Sequence, residues 1–164
     1  MFGAQWYEVG ASGDSSMLLT GAFSRAIDEK LRVAIPKHFR DSLAKTRGQV
    51  FVAPGTDGSL SIYSEETFAR LAERLAQASP TAGDVRAFSR LFFAGASAVE
   101  LDSQGRIRIP SELAQWAGLG KEAMLIGVQD HLELWEPGRW KTYLADKQSR
   151  YDEIAERAFS PPSR

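Results

Sequence analysis

The chain has 164 residues, 43% of them hydrophobic and 25% charged, and a net charge of −1 at pH 7, which allows one ordinary soluble domain or two small ones. It contains no cysteine, which excludes disulfides and thiolate metal sites and is typical of a protein of the reducing cytoplasm. No apolar run reaches the roughly 20 residues of a membrane-spanning helix, so no membrane partner is expected.

Residues 1–16 are rich in glycine and serine, show no apolar period and precede a second methionine, Met17. Because of this composition and the missing period, we interpret the segment as a disordered extension or a misassigned start. The alternative is that Trp6 and Tyr7 dock on a neighbouring molecule.

One pattern occurs twice in the chain, in residues 21–36 and in residues 95–110. Its common core is an apolar residue, aspartate, three residues, arginine, an apolar residue, any residue, isoleucine and proline. The pattern predicts a strand, a tight turn and a second strand. A helix then begins at Pro36 or Pro110, where no amide donor is needed.

The turn has a physical cause in both copies. Asp28 and Asp102 can accept hydrogen bonds from backbone amides two residues on, which favours a turn. Gly105 can supply the positive φ that such turns often need. The first copy has Leu31 at that position, and a leucine in left-handed geometry costs ~1–2 kcal/mol. The first turn therefore either differs in shape or holds strain.

Each copy continues with the same order of elements. A short helix, a buried strand, an alternating strand and a longer helix follow the proline, and Ser64 is expected to cap the longer helix of the first half. In chain order the segments are residues 37–43, 50–52, 60–63, 64–77 and 84–92, then residues 110–117, 124–126, 132–135 and 137–158.

A repeat of this size is near the lower limit for an independent core, so the two copies are expected to share one. We predict an α+β fold in which tandem repeats form one intertwined, β-barrel-like core with the longer helices packed outside. Tyr63 with Phe68 and Trp135 with Trp140 hold matching places and are interpreted as core. The alternative is an exposed platform on which bases stack.

The two Asp-x-x-x-Arg motifs at residues 28–32 and 102–106, each leading into apolar-x-Ile-Pro, resemble the MraZ family, whose halves are swapped-hairpin repeats of the SpoVT/AbrB type. The resemblance covers residues 17 to about 143. It implies a bacterial, sequence-specific DNA-binding transcriptional regulator at the promoter of the division and cell-wall gene cluster. Such a protein would assemble into a homo-oligomeric ring and lie in the cytoplasm at the nucleoid.

We expect the chain to divide along these repeats. The predicted segments are the extension 1–16, an AbrB-type repeat 19–66, a helical linker 67–93, a second repeat 94–138, a C-terminal helix 139–159 and a tail 160–164. The family usually has Asp-x-Lys-Gly-Arg in its motif, and neither copy matches it fully. Leu31 replaces the glycine in the first copy and Gln104 replaces the lysine in the second, which leaves the exact base recognition open.

Arginine suits the role that the resemblance implies. A guanidinium can make two parallel hydrogen bonds to guanine in the major groove or to a phosphate, and a two-stranded ribbon can enter that groove. The alternative for Arg32 and Arg106 is an internal ion pair with Asp28 and Asp102, and both roles can coexist if the aspartate orients the arginine. The candidate DNA contacts are Arg32, Lys30, Arg106, Lys37, Arg40, Arg25 and Arg108.

The flanking basic residues also have a plainer interpretation. Those of residues 30–40, His38 included, are either phosphate contacts or a solvated basic face. Arg25 and Arg108 lie on the alternating strands and face either DNA or a neighbouring subunit.

The sequence offers little for catalysis. His38 and His131 are the only histidines and hold unmatched places, which gives a catalytic triad or a metal site little to use. Asp28 and Asp102 could form an acid and base pair, but turn carboxylates are far commoner. We therefore expect double-stranded DNA as the partner, and no enzyme activity, cofactor, metal or small-molecule substrate.

Two other classes of function stay open at this point. The nearer one is an AbrB-type protein-interaction module, antitoxin-like, whose charged hairpins meet a protein. A hydrolase of a small acidic or sugar substrate is the more distant one.

Overall fold

The computed structural model describes residues 18–43, 48–78 and 81–160. The predicted extension at residues 1–16, and the tail beyond Ser160, lie outside the described residues.

Within the described residues, the first half of the chain contains four strands and three helices. They are β1 (Ala22–Ala26), β2 (Arg32–Ala34), α1 (Lys37–Leu43), β3 (Gln49–Pro54), β4 (Leu60–Ser64), α2 (Glu65–Gln77) and α3 (Gly83–Gly95). The second half repeats this order. Its elements are β5 (Ser97–Glu100), β6 (Arg106–Arg108), α4 (Ser111–Trp116), β7 (Glu122–Val128), β8 (His131–Trp135), α5 (Pro137–Gln148) and α6 (Tyr151–Phe159). The predicted strand, turn, strand and short helix are thus confirmed in both copies.

The strands of the described segments form two antiparallel sheets. The larger sheet has the order β1-β7-β8-β4-β3-β5, and β2 pairs with β6 in a separate two-stranded ribbon. Strand β1 of the first copy pairs with β7 of the second, and β5 of the second copy pairs with β3 of the first. The two copies are therefore interleaved, as expected. The barrel-like closure is wrong, because within the described residues the larger sheet is open, with β1 and β5 at its edges.

The core lies between the ribbon and the larger sheet. Val33 of β2 and Ile107 of β6 are fully buried, as are Ile62 of β4 and Leu132 of β8. Phe39 brings α1 into the same apolar cluster. Because both copies contribute to this cluster, neither needs a core of its own.

Helix α2 begins where the sequence predicts. Ser64 caps it by accepting a hydrogen bond of 3.1 Å from the amide of Thr67, and Phe68 on its inner side stacks on Phe51 at 4.3 Å between ring centroids. Of the aromatic pairs predicted as core, Trp135 is buried whereas Tyr63, Phe68 and Trp140 are half-buried.

The closing helix predicted over residues 137–158 is instead two helices, α5 and α6, with Ser149 and Arg150 between them. Ser149 donates its hydroxyl to the carbonyl oxygen of Asp146 at 2.9 Å, a local bond that competes with the helical ladder. Neither helix contains a buried residue. No helix among the described residues is long and apolar enough to cross a membrane.

Candidate functional site

An aspartate closes the turn of each hairpin in the same way. Oδ1 of Asp28 accepts hydrogen bonds from the amides of Lys30 at 3.0 Å and Arg32 at 2.8 Å. Oδ1 of Asp102 does the same with Gln104 and Arg106, each at 2.9 Å. In both turns the bond from the arginine amide is the main cause that lowers the pKa of the aspartate. Both carboxylates are therefore charged at neutral pH.

The second carboxylate oxygen of each aspartate holds the motif arginine. Nε of Arg32 lies 2.7 Å from Oδ2 of Asp28, and Nε of Arg106 lies 2.8 Å from Oδ2 of Asp102. The internal ion pair expected as the alternative is therefore present. The two arginine side chains are nevertheless 31% and 26% exposed, so the ion pair fixes the guanidinium without sealing it from solvent.

The unusual leucine does not change the shape of the first turn. Leu31 has φ 58° and Gly105 has φ 72°, and the amide of each donates to the carbonyl oxygen of its aspartate at 2.9 Å. Of the two outcomes considered for Leu31, the structure shows strain rather than a different turn. The left-handed conformation of a leucine costs ~1–2 kcal/mol, and the half-buried side chain offsets part of it by packing on the core.

The ribbon of β2 and β6 presents its arginines on one face. Arg32 pairs with Arg108 across the ribbon, and Ala34 pairs with Arg106. Val33 and Ile107 between them point into the core. Since side chains alternate along a strand, Arg32, Arg106 and Arg108 all point away from the core. We call this surface the arginine face.

The other candidate residues are spread around this face. Lys30 is exposed in the first turn and Lys37 is exposed at the start of α1. Arg40 is half-buried, and its guanidinium lies so close to Gly105 that a Cβ there would overlap it. Arg40 therefore covers the second turn. Arg25 is half-buried on β1, with its guanidinium 5.7 Å from the centre of the Phe23 ring, and is not part of the arginine face.

His38 is half-buried and packs against two aromatic rings. Its ring centroid lies 4.1 Å from that of Phe39 and 5.5 Å from that of Phe23. Burial and then the charge of Arg25 lower the pKa of His38 below 6.5. The ring is therefore mainly neutral at pH 7 in the free protein.

Two further polar arrangements are not visible in the sequence. Nη1 of Arg139 on α5 donates to the carbonyl oxygens of Gly58 at 2.7 Å and Ala117 at 3.2 Å, and so ties the two copies together. His131 contacts Asp130 at 2.8 Å and Glu133 at 3.7 Å. Burial alone would lower the pKa of His131, but the bonds to these two carboxylates outweigh it and raise the pKa.

Among the described residues no group of three or more histidine, cysteine or carboxylate side chains is placed to hold a metal ion. Asp28 and Asp102 close different turns and each is paired with its own arginine. The structure therefore gives each of them a role in its own hairpin.

Comparison with known proteins gives a consistent family. The family model "MraZ protein, putative antitoxin-like" matches twice, over residues 18–91 and 92–161. A "Transcriptional regulator MraZ" of Alkaliphilus oremlandii is 45% identical over 139 residues, which are 84% of this chain and 94% of that protein. Proteins of the same name from Acetivibrio thermocellus and Thermomicrobium roseum are 41% and 42% identical. Those alignments cover 84% and 75% of this chain, and 94% and 84% of the respective relatives.

Proposed function

Because the chain belongs to the MraZ family and carries two copies of its repeat, we propose that it is a transcriptional regulator that binds specific double-stranded DNA through its arginine face. The observation that carries this proposal is the position of Arg32, Arg106 and Arg108 on the outward side of one two-stranded ribbon.

The two-stranded form of the ribbon supports this mode of binding. The major groove of B-DNA is about 12 Å wide and admits a two-stranded β-ribbon, and arginine is the side chain that most often reads guanine there. Each motif arginine keeps its terminal nitrogens available because only Nε is bonded to the aspartate. The role of Asp28 and Asp102 is then to aim a side chain that would otherwise be mobile.

We further propose that the two repeats form a swapped hairpin of the AbrB type, with repeats at residues 19–66 and 94–138. What supports this is that β1 and β2, although joined by a tight turn, find their main partners in β7 and β6 of the other repeat. Lys30, Lys37 and Arg40 are proposed as flanking phosphate contacts. Arg25 would contribute only to the positive electrostatic potential around the site, because its side chain is half-buried over Phe23.

The protein is proposed to act as a homo-oligomeric ring in the cytoplasm, at the nucleoid. A ring would bring several ribbons to repeated sites in a promoter, with gains of ~10²–10⁴ in affinity from effective concentration. Exposed apolar side chains on the outer helices, such as Leu91, Tyr151 and Phe159, support an assembly of this kind. The proposed operator lies in the promoter of the division and cell-wall gene cluster.

The test is Arg32→Ala, compared with Arg74→Ala on α2 as a control of equal charge away from the arginine face. Removing an arginine that makes a charge-assisted hydrogen bond to DNA costs ~1.5–3 kcal/mol for each ribbon engaged. In a gel shift against the DNA upstream of its own gene, Arg32→Ala should therefore lose binding and Arg74→Ala should keep it. Both variants should elute at the wild-type size in gel filtration. Wild-type affinity in Arg32→Ala would end this proposal.

The second candidate is an antitoxin-like protein-interaction module. One observation favours it: each motif arginine already has a carboxylate partner, so DNA is not needed to neutralise it. Purification from cells separates the two functions, because a bound polypeptide without DNA would support the module and bound DNA would support the regulator.

A further inference from the structure

We propose that Arg32 and Arg108 together bind one phosphate at one end of the β2–β6 ribbon, and that the opposite end, where Ala34 faces Arg106, has no such site. The inference rests on the proposed function, since the phosphate meant here belongs to the backbone of duplex DNA. It makes the two ends of the ribbon differ in phosphate binding, because they have the same backbone but different charged side chains.

The backbone hydrogen bonds of the ribbon show why the two arginines lie close together. The amide of Ile109 donates to the carbonyl oxygen of Leu31 at 2.8 Å, and the amide of Ile35 donates to that of Gly105 at 2.9 Å. In an antiparallel ladder, bonded and non-bonded pairs alternate, so Arg32 and Arg108 form a non-bonded pair. The Cα atoms of such a pair are about 4.5 Å apart, and the side chains leave from the same face.

Of the two arginines at this end, only Arg32 has an ion-pair partner among the described residues. Arg32 has Asp28 as its partner, whereas Arg108 is exposed and makes no ion pair within the part of the chain that the structure describes. Like charges directly opposite each other on a sheet repel. An anion that bridges both guanidiniums removes this repulsion, and a phosphate oxygen pair matches the guanidinium fork.

The direction of approach is also defined. Arg108 also lines a cleft together with Glu100 and Glu112, and these carboxylates repel a phosphate from inside that cleft. The favourable approach is therefore from above the arginine face, between Arg108 and Arg32. This is the side from which duplex DNA would meet the ribbon in the proposed function.

The other end of the ribbon lacks the second cation. Arg106 faces Ala34 across the ribbon and is paired with Asp102, so one arginine is matched by one carboxylate. The turn beside it carries Gln104 where the first turn carries Lys30. The repeat thus duplicated the motif arginine but not its cross-strand neighbour.

The test uses fluorescence anisotropy with a duplex from the region upstream of the gene and a shuffled duplex of equal composition, over a range of salt concentrations. For every DNA phosphate that the protein no longer neutralises, the slope of log K against log salt becomes shallower by about 0.9. Arg108→Ala should make the slope shallower by at least that amount and weaken the binding of both duplexes by the same factor. Ala34→Arg, which builds the missing pair at the other end, should steepen the slope. An unchanged slope in either variant overturns the inference.

A second variant serves as a control in case Arg108→Ala fails to fold. Arg108→Lys keeps the charge but not the guanidinium fork, so its affinity for DNA should lie between those of the wild type and Arg108→Ala. A second measurement separates this inference from the proposed function. At constant ionic strength, replacing chloride by inorganic phosphate should raise the melting temperature of the wild type more than that of Arg108→Ala. If that difference is seen while neither duplex binds, the phosphate site stands and the proposed function falls. If the two melting temperatures rise equally, the phosphate site falls.

Discussion

The second turn offers a direct test of how the arginine face is supported. Gly105→Ala places a Cβ at φ 72°, which costs ~1–2 kcal/mol in backbone strain. The Cβ would also overlap the guanidinium of Arg40, and moving that flexible side chain out of its conformation adds ~0.5–1.5 kcal/mol. We therefore expect a loss of ~1.5–3.5 kcal/mol in the free energy of unfolding with Arg40 present. In an Arg40→Ala background the loss should be only ~1–2 kcal/mol.

Gly48 supplies the matched control. It has φ 66°, and a Cβ built there meets nothing within 4 Å. Gly48→Ala should therefore cost ~1–2 kcal/mol from strain alone, with or without Arg40. The assay is urea unfolding followed by tryptophan fluorescence, at one protein concentration because the stability of an assembly depends on it. Equal losses for Gly105→Ala in the two backgrounds would show that Arg40 does not support the turn.

Two further predictions concern stability. His131 has a raised pKa in the folded chain, so its stabilising contribution is fully present below about pH 6.5 and is lost as the pH rises through the folded pKa. The difference in melting temperature between wild type and His131→Gln should therefore shrink over that pH range. A constant difference would refute the ion-pair account. Ser64→Ala removes the cap of α2 and should cost ~1 kcal/mol in urea unfolding, whereas Ser64→Asp should retain most of the stability.

The sequence was sufficient for most of what depends on neighbours along the chain, apart from the break between α5 and α6. The Asp28 and Asp102 turns, the Ser64 cap and the order of elements follow from local hydrogen bonding and side-chain period, and all are present in the structure. The duplication also indicated a shared core, because one repeat is too small to bury its own apolar face.

What the sequence left open depends on contacts between distant segments. The alternation of apolar residues predicts strands but not their partners. It therefore did not predict that β1 pairs with β7, and it did not exclude a closed barrel. The lowered pKa of His38 follows first from burial, to which Phe23 of β1 contributes, and then from the charge of Arg25 on the same strand. The packing of Arg40 on Gly105 brings the helix of one repeat against the turn of the other. No local sequence pattern indicates such a contact.

The arginine face itself was only half predicted. The repeated motif identified Arg32 and Arg106, but the position of Arg108 opposite Arg32 comes from the register of the ribbon. A shift of one residue in that register would have turned Arg108 toward the core. The site is therefore a property of the paired repeats, and neither copy contains it alone.

The most direct test of the central claim is photo-cross-linking from the arginine face to DNA. Ala34 is exposed there, between the arginines, and Ala76 is exposed on α2, away from the ribbon. A photoreactive phenylalanine derivative at residue 34 should cross-link to the duplex from the region upstream of the gene, and the same group at residue 76 should not. Equal cross-linking from both positions, or none from residue 34 while the protein still binds the duplex, would contradict binding through the ribbon.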